Sequence, residues 1–251
     1  MVRSISDIWT LIDNWDYTAL LWIQDVIRND VLTPVMKVIT TLGNKGLIWI
    51  LLVVILLIPK KTRKAALMAG ITMAICHLLN DFVIKPGVAR IRPYEAHEDI
   101  KRLVAMENSF SFSSGHTMSA FAGTLIYLRM IPKKISIPAV LFAIVISFSR
   151  LYVGVHYPTD VIAGFLIALI ISQILWSVWM SAERNARRRK KKKQAEQVSA
   201  VPASNAQNFT APATAGQAEL LQKPGILGSG LDNQPIIQAE KSRPVQQHEK
   251  S

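Results

Sequence analysis

Residues 161–180 read VIAGFLIALIISQILWSVWM, twenty positions without one charge. At 1.5 Å per residue a helix of that length crosses a hydrocarbon core of ~30 Å. Working toward the N-terminus, residues 135–153, 115–131 and 65–84 repeat the pattern, the last with His77, Asn80 and Asp81 near its end. Residues 46–58, GLIWILLVVILLI, are intensely apolar but short, and are expected to recruit Thr40 to Asn44. Five such segments in one chain, with Lys/Arg clusters between alternate pairs, argue against buried core helices of a soluble protein. Residues 17–42 are harder to read. Leu20, Leu21, Ile23, Val26 and Ile27 make an apolar face, interrupted by Asp25, Arg28, Asn29 and Asp30. They are expected either to span or to lie as a bent amphipathic pair in the interface. The expected fold class is all-α, a multi-pass transmembrane helical bundle of 5–6 membrane helices.

Charge divides the chain further. The net charge is +12, and residues 182–193, AERNARRRKKKK, supply +7 of it. The basicity therefore marks one juxtamembrane block rather than a nucleic-acid-binding face, and no nucleic acid is expected as a partner. That block suits anionic lipid at the membrane surface. Beyond it, residues 194–251 turn to Ala, Gln, Pro, Ser, Asn and Gly without apolar periodicity, the composition of a disordered tail. The expected divisions are an N-terminal segment 1–16, a membrane domain 17–181, the basic block 182–193 and the tail 194–251. The N-terminal segment carries Asp7, Asp13 and Asp16 and does not read as a cleavable signal peptide. Cys76 is the only cysteine, so no intramolecular disulfide forms. Trp15, Trp22, Trp49, Trp176 and Trp179 read as interfacial belt residues.

The loops at 59–64 and 129–134 and the run 184–193 are rich in Lys and Arg, which places them in the cytoplasm. Loops 85–113 and 151–160 then share the opposite face. The three clusters of costly polar groups lie on or beside those loops, which is how a site reads. Lys85 and Arg92-Pro93 have six residues between them, a compact charge and a planar fork suited to phosphate. Arg90, between them, reads as an interfacial cation whose stem lies along lipid. Ser113-Ser114-Gly115-His116 precedes a helical pattern, so Ser114, Gly115 and the amides that follow form either an anion cradle or a plain cap. Ser149-Arg150 is followed after five residues by His156, and Asp160 lies four further on. The Asp160 carboxylate is in reach of His156 Nδ1, which would fix the imidazole tautomer and leave Nε2 free to attack. Spacing alone leaves His116 and His156 unranked as the nucleophile. A metal held by His116, His156 and Asp160 is disfavoured, because three cations would surround it.

These clusters resemble the motifs of the type 2 phosphatidic acid phosphatase superfamily. The family pattern is Lys, six residues, Arg-Pro; then Pro-Ser-Gly-His; then Ser-Arg, five residues, His, three residues, Asp. It is matched at every position except Ser113, where the family usually has Pro, and altered loop stiffness is expected there. The resemblance covers residues 17–181. It implies a phosphatase without metal or other cofactor, in which His156 attacks phosphorus, Asp160 holds His156, and His116 protonates the leaving oxygen. Lys85, Arg92, Arg150, Ser114 and Gly115 would hold the phosphate. The implied substrate is a phosphorylated lipid at the outer leaflet, undecaprenyl diphosphate first and phosphatidylglycerol phosphate or phosphatidic acid second. A non-catalytic lipid-binding or transport component is the alternative from another class, opposed by the oriented imidazole. The implied location is the cell membrane, multi-pass, with an extracytoplasmic site and a cytoplasmic C-terminal tail.

Overall fold

The computed structural model describes residues 5–199, and every regular element among them is helical. Helix α1 (Ile5–Trp22) runs through a π-turn and a bend into α2 (Leu32–Leu42). Residues 43–46 break the chain before α3 (Leu47–Leu57). Helix α4 (Arg63–Leu79) passes through a π-helical turn at 80–84 into short α5 (Lys85–Val88), and α6 (Pro93–Ala96) follows. A loop over 97–114 leads to α7 (Gly115–Met130), then α8 (Lys133–Tyr152) and α9 (Pro158–Ser199).

By length and composition the stretch Arg63–Ala96, α8 and Pro158–Glu196 can each cross a membrane, and α2 with residues 44–57 forms a fourth candidate, bent by 49°. The 32–42 segment therefore partners the apolar 47–57 run rather than α1. The acids of α1 keep it off that set. Helix α7, expected as a span, has sixteen residues and reaches roughly 24 Å. It is enclosed within the bundle. Helices α4 and α8 pack on either side of it. Small residues let them approach: Ala66 and Ala69 on α4, Ala120 and Ala122 on α7, all fully buried.

A central core of Met73, Met118, Phe121, Ala143 and Ile146 fills the bundle. Trp49 belongs to that core, its ring tilted against Phe142 with centroids 5.9 Å apart, so it is not a belt residue. Trp15 and Trp22 remain exposed. The outer face carries Leu166, Ile170, Ile174 and Val178, spaced four apart on α9 and all exposed. In water that stripe would be charged, and it is the face a lipid-embedded helix presents. The basic block continues α9 as helix, up to Ser199. Residues 200–251, most of the tail expected to be disordered, lie outside the described residues.

The two ends of the bundle differ. Lys64 pairs with Glu183 at 2.7 Å, which ties the basic turn at 59–64 to the start of the basic block. The other end is covered by the 97–114 loop, in which Ile100, Ser111 and Ser113 are buried.

Candidate active site

The π-turn at 80–84 inserts an extra residue into the helix just before Lys85, and so resets the direction in which Lys85 projects. Lys85 Nζ donates to Ser109 Oγ at 3.1 Å and lies 3.4 Å from Asp81. Arg92 stands just before α6 and is almost wholly buried. Its Nε donates to the Ser109 carbonyl (2.7 Å) and its Nη1 to the Val155 carbonyl (2.9 Å), so the fork is held rigidly across two loops. Arg150, from the last turn of α8, is equally buried and donates to Thr40 Oγ1 at 2.5 Å.

The start of α7 is the second component. Ser114 is the N-cap, and its hydroxyl takes the Thr117 N–H and the Thr117 hydroxyl. That side chain is committed to capping, while the N–H groups of Gly115 and His116 have no intrahelical acceptor by position. Gly164 is required here, since a Cβ on it would stand 2.9 Å from the Ser114 carbonyl oxygen. Ser114 N also donates to the Asp160 carbonyl at 3.1 Å, joining α7 to α9. Ser113 donates to Asn80 Oδ1 at 2.8 Å, so the hydroxyl anchors this loop to the π-turn. His116 Nε2 meets Asn44 Oδ1 at 3.1 Å. Gly43 lies so close that a Cβ would approach His116 Cδ2 to 2.7 Å.

The third component is the pair His156 and Asp160, one helical turn apart at the start of α9. His156 Nδ1 lies 3.4 Å from Asp160 Oδ2, and Nε2 makes no hydrogen bond among the described residues. His156 is 1% exposed. Burial pushes its pKa down against the pull of Asp160, and nearby Arg92 and Arg150 reinforce the drop, to about 4. The imidazole is therefore neutral at pH 7, with its lone pair available. His156, His116, Gly115 and Lys85 line one cavity of about 150 Å³. Clusters up to 75 residues apart in the chain are thus brought together around it. All eight residues expected at the site converge on this end of the bundle.

Sequence reasoning missed the groups behind and within the cavity. Arg90 is not an interfacial cation. Its Nη1 donates to Asp160 Oδ1 (2.9 Å), its Nη2 to Asp16 (2.7 Å) and Asp13 (2.8 Å), and its guanidinium lies 3.9 Å from the Tyr157 ring centroid. Asp160 Oδ2 also accepts from Ser111 Oγ at 2.5 Å and from Tyr157 N at 2.9 Å. A buried carboxylate so supplied with donors stays ionised and fixed. Asp13 and Asp16 on one face of α1 were the available signal, because a buried acid demands a cation.

Glu107 was also missed. Its carboxylate bridges the two buried arginines, Oε2 to Arg92 Nη2 at 2.7 Å and Oε1 to Arg150 Nη2. Burial alone would raise its pKa, but Arg150 and Arg92 outweigh that and hold it down at about 2. In this state a carboxylate stands where an incoming phosphoryl group would meet both forks. Removing that charge should tighten binding of free anions, since a self-occupied site lowers apparent affinity. Glu107→Gln is expected to lower the inhibition constants of inorganic phosphate and orthovanadate by about tenfold. Weaker inhibition would show that Glu107 supports the cradle instead of occupying it.

Comparison with known proteins points to one family. The PAP2 superfamily profile matches residues 61–184. The chain is 36% identical over 125 residues to an undecaprenyl-diphosphatase of Sulfolobus acidocaldarius, covering 50% of this chain and 60% of the relative's length. It is 36% identical over 144 residues to undecaprenyl-diphosphatase BcrC of Bacillus subtilis, covering 57% of this chain and 73% of that one. Among solved structures, a transmembrane PAP2-type phosphatidylglycerolphosphate phosphatase from Bacillus subtilis superposes with a TM-score of 0.57 at 29% identity, over 68% of this chain and 87% of the other. With its family motifs gathered around one cavity and relatives matched over most of their length, the chain belongs to the PAP2 superfamily.

Proposed function

We propose that this membrane phosphatase removes the terminal phosphate of a lipid diphosphate, undecaprenyl diphosphate first, through a phosphohistidine on His156. The observation that carries the reading is the neutral, Asp160-held imidazole opening onto the same cavity as His116 and Lys85, beside the Arg92 and Arg150 forks. In the first step the Nε2 lone pair attacks the terminal phosphorus and the bond to the bridging oxygen breaks. His116, which takes up a proton once the bound phosphate offsets the charge of Arg150 and Lys85, gives that proton to the bridging oxygen as the lipid phosphate leaves. In the second step a water attacks phosphorus, His116 takes its proton, and the P–N bond breaks to release inorganic phosphate. Lys85, Arg92, Arg150 and the Gly115 and His116 amides balance the charge on the phosphoryl oxygens, a role that needs no metal. Ser114 contributes by capping the helix that carries those amides.

The tail has a place to lie. An apolar groove of about 420 Å³, lined by Ile50, Val53, Gly70 and Met73, adjoins the catalytic cavity. We assign five membrane segments, the bent α2–α3 pair, the α4 run, α7, α8 and α9, with α1 as a sixth element at the interface. The site end faces away from the cytoplasm and the basic end faces it, where residues 184–193 meet anionic lipid. Phosphatidylglycerol phosphate is the second substrate, supported by the phosphatase from Bacillus subtilis that superposes on this chain.

The test is phosphate release by detergent-purified protein from undecaprenyl diphosphate, phosphatidylglycerol phosphate and phosphatidic acid, with EDTA present. Release from undecaprenyl diphosphate at the highest kcat/KM is expected, and loss with EDTA that zinc or magnesium restores would refute the mechanism. Intact cells expressing the protein are expected to hydrolyse added farnesyl diphosphate without permeabilisation. Hydrolysis only after permeabilisation would reverse the orientation.

A further inference from the structure

The turn between α2 and α3 holds a lysine in an unusual way. Lys45 has φ 52° and Gly46 has φ 68°, two successive left-handed residues. Glycine adopts that conformation freely, but lysine has a Cβ that clashes there and no short polar side chain to compensate. Strain of this kind persists where the surroundings enforce it, and it collects at functional sites. Lys45 also differs from the other cations around the cavity. Lys85, Arg90, Arg92 and Arg150 each have a carboxylate partner. Lys45 makes no ion pair or side-chain hydrogen bond among the described residues, and it is exposed.

Its position is equally specific. Lys45 lines both the catalytic cavity and the apolar groove, and so does His77. The two residues stand where one space opens into the other. Asp81, the nearby acid, is already engaged by Lys85, His77 and Asn80, so it does not cancel the Lys45 charge. The preceding residues touch the proposed proton donor: Asn44 bonds His116 Nε2, and Gly43 packs against the His116 ring.

We propose that Lys45, assisted by His77, is an anion subsite for the phosphate next to the lipid tail, and that it makes the enzyme select lipid diphosphates over lipid monophosphates. This rests on the reading that the attacked phosphoryl group lies against His156. With phosphorus there and the tail in the groove, whatever joins them passes the 43–46 turn. In a diphosphate that joining group is a second phosphate, and it departs carrying negative charge. An ammonium beside it stabilises the developing charge. In a monophosphate the joining group is an alcohol oxygen, which needs only the proton from His116.

The experiment uses two substrates with one tail, farnesyl diphosphate and farnesyl monophosphate, and the full-length protein in detergent. Lys45→Met is expected to lower kcat/KM for the diphosphate by about tenfold while changing the monophosphate by less than about twofold. Lys45→Gly removes the ammonium and the backbone strain together, so it folds at least as readily and is expected to give the same selective loss. Lys45→Arg is expected to keep the preference. An equal loss on both substrates, or no loss on either, overturns the subsite. If the wild type hydrolyses neither substrate in a His156-dependent way, the underlying reading fails, and the subsite with it.

Discussion

His156→Ala is expected to abolish phosphate release, lowering kcat by on the order of 10⁴-fold or more. The argument is chemical first. Nε2 is the nitrogen with no hydrogen bond among the described residues, and it belongs to an imidazole that is neutral at pH 7. Alanine leaves the cradle of Lys85, Arg92 and Arg150 intact but removes the atom that forms the new bond to phosphorus. The fold should survive. Among the described residues His156 makes one side-chain hydrogen bond, and Asp160 keeps Arg90, Ser111 and the Tyr157 N–H as donors. Two measurements check it. A phosphohistidine is stable in base and labile in acid, so labelled substrate followed by an alkaline quench is expected to give an acid-labile phosphoprotein in the wild type and none in the variant. Label retained in His156→Ala, or found on His116, would transfer the nucleophile's role. The pH dependence has a definite sign. Because the pKa lies near 4 rather than 6.5, the neutral nucleophile persists as pH falls through 6.5. Protonation of His156 in the free enzyme then reduces kcat/KM only as pH approaches 4, after correction for the substrate's own ionisation.

Asp160→Asn is expected to cost on the order of 10³- to 10⁴-fold in kcat, through the tautomer rather than the fold. Asp160 Oδ2 faces His156 Nδ1, which keeps the proton on Nδ1 and the lone pair on Nε2. Asparagine can turn an NH₂ toward Nδ1, and that amide donates instead of accepting. The proton then sits on Nε2, the atom that must attack. The imidazolium-like charge that develops as the P–N bond forms also loses its counter-ion. Arg90 retains Asp13 and Asp16, so the cation behind the site is not left unpaired. The variant should therefore keep its thermal stability close to wild type while losing turnover and phosphohistidine formation together. A rate within tenfold of wild type would remove Asp160 from the positioning role.

The residues proposed to hold phosphate were legible because their chemistry is local. Lys85, Arg92, His116, Arg150 and His156 are costly groups at the ends of apolar runs, and no packing role explains them there. His156 and Asp160 were legible as a pair because four residues make one helical turn. Arg90 shared the same loop and was misread, since nothing within its own segment names a partner. Its partners are Asp16, 74 residues away, and Asp160, 70 residues away. Glu107 lay in a loop of mixed polarity with no periodicity to mark it, and only the meeting of α6 with the end of α8 gives it two arginines to bridge.

The membrane segments show the same division. Hydropathy sums along the chain, so the all-helical class, the apolar runs and the charged turns between them were determined by the sequence itself. Which runs face lipid was decided by tertiary packing. Residues 115–131 are apolar enough to read as a span, yet α7 is short and enclosed between α4 and α8. Trp49 reads as a belt residue and is buried, because the 43–46 turn rotates α3 inward against Phe142. The physical reason is common to all of these. Solvent preference and helical period act between near neighbours and are written into every window of sequence. Pairing of a buried charge depends on which distant group the fold carries to within about 3 Å, and no window contains both.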